Sequence, residues 1–202
     1  MNIYKSDAIE YIDQNFEGLI SKINSNTNDL FSLLDDTNDW AFIIKLSAFI
    51  DLLLNDALNR RLQESGLKSF IESSPLYGKN SKTELARNLG LLTKGQCSFV
   101  QQIAEMRNVC AHDFSAISFN FEDYLAGKDQ NQRKSWVNKL NFFEGEAKKS
   151  FSEFYRDMPR YGLIIGTIIL SATIEGEVMK SRLSGDLDLL ELKASRDLLG
   201  FA

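Results

Sequence analysis

Residues 39–66 read DWAFIIKLSAFIDLLLNDALNRRLQESG, and this stretch decides the fold. Apolar side chains occupy most of its helical circumference, which is typical of a helix enclosed in a core. Thr37 stands just before the stretch and predicts the start of the helix. Gly66 predicts its end, because glycine commonly follows the last turn of a helix. We therefore predict a long central helix against which the rest of the chain packs.

Helical spacing continues on both sides of this stretch. Apolar residues recur at steps of three and four behind Ser6, and the same period returns from Asp129 onward. A last long helix is predicted over residues 160–183 and a shorter one over residues 188–199. Residues 117–121, ISFNF, alternate apolar and polar, so at most a short extended segment is expected there.

Two capping boxes, in which a hydroxyl residue precedes Glu or Gln by three positions, mark successive helix starts: Ser81 with Glu84, and Thr93 with Gln96. They predict helices over residues 82–92 and 94–111. The chain has only two prolines, and proline is the residue that most disrupts a helix. Residues 1–202 are therefore predicted to form a single all-α domain, an antiparallel helical bundle.

The composition excludes several classes of protein. With one histidine in 202 residues, a metal centre built from several histidines is ruled out. Cys97 and Cys110 form neither a C-x-x-C pair nor a disulfide framework, so a cytoplasmic location is expected. The apolar run over residues 162–174 is shorter than the roughly twenty residues that span a bilayer, and no membrane partner is expected. We predict no metal and no cofactor.

The net charge of −5 argues against a protein that coats nucleic acid without specificity. The charge is unevenly distributed, because residues 59–160 carry sixteen basic and twelve acidic side chains. That part of the chain is compatible with a local basic surface. Scattered charges are also compatible with an ordinary solvated helix face.

The only histidine, His112, lies at the end of the second capped helix. Asn108 stands four positions before it, so the two side chains share one face and the amide can orient the imidazole. Arg107 stands five positions before it, about 140° away around an ideal helix. The two side chains would converge if the helix unwinds at His112, or if a two-fold axis brings Arg107 of one subunit towards His112 of another.

These residue types suit the cleavage of RNA without a metal. A histidine that titrates near neutrality can exchange a proton with a ribose oxygen, and an arginine can hold the phosphate. A helix C-terminus favours the protonated imidazole, and Asp113 next to His112 would act in the same direction. The alternative is a histidine that merely caps the last carbonyl groups of its helix.

The sequence Arg-Asn-x-x-x-His over Arg107–His112 resembles the R-x4–6-H signature of the HEPN superfamily, including the polar residue that its ribonucleases favour after the arginine. A wider resemblance, over about residues 40–183, is to the mannitol-operon repressor (MltR) family, which is itself considered HEPN-like. It rests on the order of five features: the helix Phe42–Arg61, then SPLYGKNSKTELARNLGLLT, then the helix ending RNVCAHD, then an aromatic linking segment, and a final YGLIIGTIILSATIEGEVMKSRL.

The resemblance implies a metal-independent endoribonuclease or RNA-processing protein in which Arg107 binds phosphate, His112 transfers protons and Asn108 orients His112. It also implies a homodimer, with Asp51 facing the motif as a supporting residue. A solvent-facing or interface carboxylate is the other interpretation of Asp51. The alternative function is a non-catalytic transcriptional regulator of the MltR type that acts through protein contacts or by occluding an operator. A third is a defence-associated or toxin–antitoxin adaptor.

Four further basic residues are candidate RNA contacts: Arg60, Arg61, Lys82 and Arg87. The first two end the central helix, where positive charge is favourable against the helix dipole whether or not RNA binds. No glycine-rich phosphate loop or helix-turn-helix accompanies them. RNA and a second protein thus both remain open as partners, beside the second copy of the chain.

Overall fold

The computed structural model describes the backbone of residues 5–112 and 117–199, and the side chains of residues 16–64, 66–112 and 117–186. Within these limits the chain is all-α: it forms helices and no strand. The nine α-helices that it describes are α1 (Lys5–Ser32), α2 (Asp39–Leu62), α3 (Lys68–Ser73), α4 (Lys82–Asn88), α5 (Lys94–His112), α6 (Phe121–Ala126), α7 (Gln130–Leu140), α8 (Gly145–Asp157) and α9 (Pro159–Leu199).

Helix α2 is the predicted central helix. Nine of its side chains are buried, and it packs against α3, α4, α5 and α9. Its bounds differ from the prediction at both ends. Asn38, rather than Thr37, caps the start, because its side chain accepts a hydrogen bond from the Trp40 amide at 2.7 Å. The helix ends at Leu62, since Gln63 adopts the left-handed conformation before Gly66 is reached.

The capping boxes fix the start of α4 and α5. Thr93 and Gln96 exchange both hydrogen bonds of the box, as predicted. Ser81 caps α4, but the Glu84 carboxylate accepts from the Asn80 amide instead of from Ser81 itself. Helix α4 is shorter than predicted.

The early end of α4 has a backbone cause. Gly90 takes a positive φ of 76° and its amide donates to the carbonyl of Arg87. The amide of Leu91 then donates to the carbonyl of Ala86, which completes a Schellman motif. The predicted helix over residues 82–92 was therefore too long by one turn.

The backbone agrees with the prediction at one further stretch and differs from it at another. The alternating stretch 117–121 forms no strand: Ile117 and Ser118 lie in a tight helical turn, and Asn120 is extended only to cap α6. The predicted break between residues 183 and 188 is wrong, because α9 is one continuous helix. No proline lies there to interrupt it, whereas Pro159 occupies its first position, where proline is tolerated.

Contacts between the long helices give their relative directions. The start of α2 meets the start of α9 through Asp39 and Arg160, and the two helices also meet further along through Arg60 and Glu175. Helices α2 and α9 therefore run parallel. Helix α5 runs antiparallel to α2, since its end contacts Trp40 at the start of α2.

Helix α9 contains the most apolar part of the chain. Its residues Pro159–Asp186 are long and apolar enough, by length and composition, to cross a bilayer, so the apolar stretch is longer than residues 162–174. In the most apolar window of this helix, 56% of the residues are buried inside the fold. The helix supplies Leu163, Ile164 and Leu170 to the same core as α2.

Close packing between α8 and α9 gives a prediction with a matched control. A Cβ atom on Gly166 would lie 2.6 Å from the Tyr155 hydroxyl and 2.9 Å from the Phe99 ring, whereas a Cβ on Gly176 would meet nothing within 4 Å. We expect Gly166→Ala to lower the free energy of unfolding by about 1–3 kcal/mol through overpacking. Gly176→Ala should raise it by about 0.5–1 kcal/mol, because alanine favours helix.

Urea denaturation followed by circular dichroism measures both changes. A Gly166→Ala variant as stable as the wild type would contradict the close approach of α9 to Tyr155.

Candidate functional site

Helix α5 carries the candidate motif, and its buried side holds it in the core. A stripe formed by Phe99, Ile103, Met106 and Cys110 is buried along its whole length. Burial raises the pKa of the Cys110 thiol, and the Asp39 carboxylate nearby raises it further. Cys110 therefore serves as a packing residue at the end of the stripe, with the thiol kept protonated.

The motif residues lie on the outer side of the same helix end. Asn108 and His112 are exposed, and Arg107 is half-buried. Nη1 of Arg107 donates to Oδ1 of Asn108 at 3.1 Å, so the amide oxygen faces the arginine. Among the described residues no hydrogen bond joins Asn108 to His112, so the orienting role of Asn108 stays a prediction. Asp113 lies outside the described residues.

The course of α5 bears on the two routes by which Arg107 and His112 are expected to meet. Helix α5 extends as far as His112, which is its last residue. Five helical positions separate the two side chains by about 7.5 Å along the axis and about 140° around it. Within the helix, the two side chains therefore lie on different faces.

Asp51 is paired with a residue outside the motif, and its supporting role stays a prediction. Its two carboxylate oxygens accept hydrogen bonds from Nζ of Lys82, at 2.8 and 2.9 Å. The Lys82 side chain is only 2% exposed. Lys82 is therefore corrected from a candidate RNA contact to the buried half of an ion pair between α2 and α4. A buried ammonium needs such a partner, and thirty-one residues separate the two in the chain.

Arg60 is likewise bound within the fold. Its guanidinium donates to both carboxylate oxygens of Glu175, at 2.9 and 2.8 Å, and also pairs with Asp56. Glu175 is 2% exposed. A charged residue within an apolar helix is the sequence signal that predicts such a partner. Arg60 thus connects α2 to α9. Arg61 is half-buried and Arg87 is exposed. Arg61 and Arg87 both remain candidate RNA contacts.

The first turn of α2 contains residues that the sequence analysis did not single out. Three consecutive side chains there bind backbone atoms close to the motif. Nε1 of Trp40 donates to the carbonyl of Cys110 at 2.8 Å. Nδ2 of Asn38 donates to the carbonyl of Ile117 at 3.3 Å. Oδ2 of Asp39 accepts from the amide of Phe121 at 2.7 Å. Their helix-start position gave no signal for these long-range bonds.

One cleft lies away from the motif, between α1, α2 and α9. It has a volume of about 810 Å³. Its polar lining includes Lys22, Asp56, Arg60 and Glu175, which are joined in ion pairs. The motif is instead an exposed helix end. Among the side chains that the structure describes, no group of three His, Cys, Asp or Glu residues is arranged to hold a metal ion.

Comparisons with protein-family models, with curated proteins and with solved structures find no match to this chain. The resemblance to the HEPN and MltR families stays a prediction that rests on the quoted residues.

The ion pair between Asp51 and Lys82 yields a prediction about stability. Asp51→Ala leaves a buried ammonium without its partner, so we expect the free energy of unfolding to fall by about 2–3 kcal/mol. This is less than a fully buried pair would lose, because Asp51 is 34% exposed and water reaches it.

The double variant Asp51→Ala, Lys82→Met removes both charges and is expected to recover most of that loss. Chemical denaturation of the two variants makes the comparison. Equal destabilisation of the single and the double variant would refute the assignment of Lys82 as the buried half of the pair.

Proposed function

We propose that this protein is a metal-independent endoribonuclease or RNA-processing protein that acts as a homodimer. Arg107, Asn108 and His112 of the two copies would form its site. The observation that carries the proposal is the course of α5, which extends as far as His112. It leaves an accessible arginine and an accessible histidine on different faces of one helix. A two-fold axis near this helix end would bring each beside the complementary residue of the other copy.

The chemistry needs only these groups. The ribose 2′-oxygen attacks the adjacent phosphorus while a His112 imidazole accepts its proton. The bond from phosphorus to the 5′-oxygen breaks, and a protonated imidazole supplies the proton to that leaving oxygen. The products are a 2′,3′-cyclic phosphate and a 5′-hydroxyl. The dimer would hold two such sites, each with Arg107 from one copy and His112 from the other, and the imidazole that accepts the proton of the 2′-hydroxyl returns it to the leaving oxygen.

Arg107 would stabilise the charge that develops on the phosphate. Its guanidinium is permanently charged and donates several hydrogen bonds in one plane, which matches two phosphate oxygens. The bond to Asn108 supports this role, because it limits the rotamers of a long side chain before RNA binds. Arg61 and Arg87 are the candidate contacts that would extend the RNA path.

A second candidate is a non-catalytic regulator of the MltR type that binds another protein. The observation in its favour is that Lys82 and Arg60 are held in internal ion pairs. Fewer basic side chains are therefore free to line an RNA groove than the four candidates in the sequence. An adaptor role in a defence or toxin–antitoxin system belongs to the same class, since it too needs only a protein-binding surface.

Incubation with mixed RNA in the presence of EDTA separates the two candidates. We expect the wild-type protein to cleave RNA without metal and His112→Ala to lose about 100-fold to 10,000-fold of the rate, the usual contribution of a general acid or base. Arg107→Ala should lose a comparable factor. Arg156→Ala removes an exposed arginine from α8 and is the matched control.

The three variants are purified in the same way as the wild type, so any contaminating ribonuclease is common to all of them. Cleavage that is equal in the wild type and in His112→Ala would refute the nuclease and favour the regulator.

A further inference from the structure

The chain is held by α2 on both sides of His112. Before the histidine, the carbonyl of Cys110 accepts the indole hydrogen bond of Trp40. After it, the carbonyl of Ile117 accepts from the Asn38 side chain. The same turn of α2 therefore fixes the backbone two residues before and five residues after the imidazole.

Asp39 adds a third contact of this kind, and the Asp39 side chain is itself fixed by α9. One carboxylate oxygen accepts from the amide of Phe121, and the other is paired with the guanidinium of Arg160. Arg160 also donates to the carbonyl of Asp36, and its guanidinium lies over the Phe42 ring at 5.3 Å from the centroid. The Asp39 and Arg160 side chains are 16% and 22% exposed, so water competes weakly for these charge-assisted bonds.

The position of His112 depends on these backbone contacts, because few interactions of its own fix the imidazole ring. The residue is exposed, and in the part of the chain that the structure describes its side chain makes no hydrogen bond or ion pair. The place of the imidazole is thus set by the backbone at the end of α5. A helix end without such contacts frays within its last turn.

We propose that Asn38, Asp39 and Trp40 are positioning residues that fix the end of α5 and hold His112 where it transfers protons. The inference rests on the proposed function, since proton transfer is what the fixed position serves. None of the three residues needs to touch RNA. Their effect is on the geometry of the imidazole, and a misplacement of about 1 Å is enough to lower a rate by about 100-fold.

The two tryptophans of the chain provide the test. Trp40→Phe removes the donor to Cys110 and keeps a ring in place. Trp136→Phe is the matched control, because the buried Nε1 of Trp136 has no hydrogen-bond partner among the described residues. Asn38→Asp is the second variant: aspartate retains the cap of α2 but lacks the donor to Ile117.

His112 is the only histidine, so the chain has a single imidazole Cε1–H signal in a carbon–proton NMR spectrum. We expect Trp40→Phe and Asn38→Asp to shift this signal and to lower kcat for RNA about tenfold to 100-fold, with KM changed less than twofold. Trp136→Phe should change neither.

The outcomes separate this inference from the proposed function. If the wild type cleaves no RNA, the proposed function fails. A His112 signal that moves in Trp40→Phe and Asn38→Asp would still show that Trp40 and Asn38 position His112. A signal unmoved in both variants overturns the inference, as does a moved signal with unchanged kcat in an active enzyme. If Trp40→Phe does not fold, Asn38→Asp alone decides by the same criteria.

Discussion

Two ion pairs connect α2 to α9, and the packing of the other helices depends on them. Asp39 meets Arg160 near the start of both helices, and Arg60 meets Glu175 further along. Each carboxylate is mostly or fully buried, so each would be costly to leave without its cation. The pairs also fix the direction of the two helices, because only a parallel arrangement brings both cations to their partners. Helices α1, α4 and α5 then pack on the apolar surface of this pair.

The first of these ion pairs links the core to the candidate site. Because Arg160 holds Asp39, the turn that contains Asn38 and Trp40 has a fixed position relative to α9. That turn in turn holds the end of α5 through Cys110. The end of α5 is therefore linked to the core by a hydrogen bond, although its outer side chains are exposed. This combination suits a site that is completed by a second molecule rather than by closure of a cleft.

Local signals in the sequence predicted most of the helices. The apolar period of α2, the capping box of Thr93 and Gln96 and the buried stripe of α5 are all encoded within one or two turns. The predicted helix ends were less accurate. Gln63 takes the left-handed conformation that ends α2 although it is not a glycine, so the sequence gives no sign of it. The break predicted within α9 was wrong, since a run of polar residues changes the exposure of a helix without ending it.

Long-range partners were beyond the reach of the sequence. Glu175 and Arg60 lie 115 residues apart, and nothing in their local spacing pairs them. The same is true of Asp51 and Lys82, and for this reason a buried lysine was assigned to RNA binding. The motif around His112 was located correctly as a helix end. Its support by Trp40 depends on the packing of α2 against α5, which a sequence pattern does not specify.

We propose that Arg107 and His112 act together across two copies of the chain. The most direct measurement mixes two variants, Arg107→Ala and His112→Ala, each inactive alone, after native mass spectrometry has shown that their subunits exchange. Equal amounts should regain about a quarter of the wild-type RNA cleavage, because half of the dimers then contain one intact site of two. A mixture that exchanges subunits and stays as inactive as its components would contradict the claim.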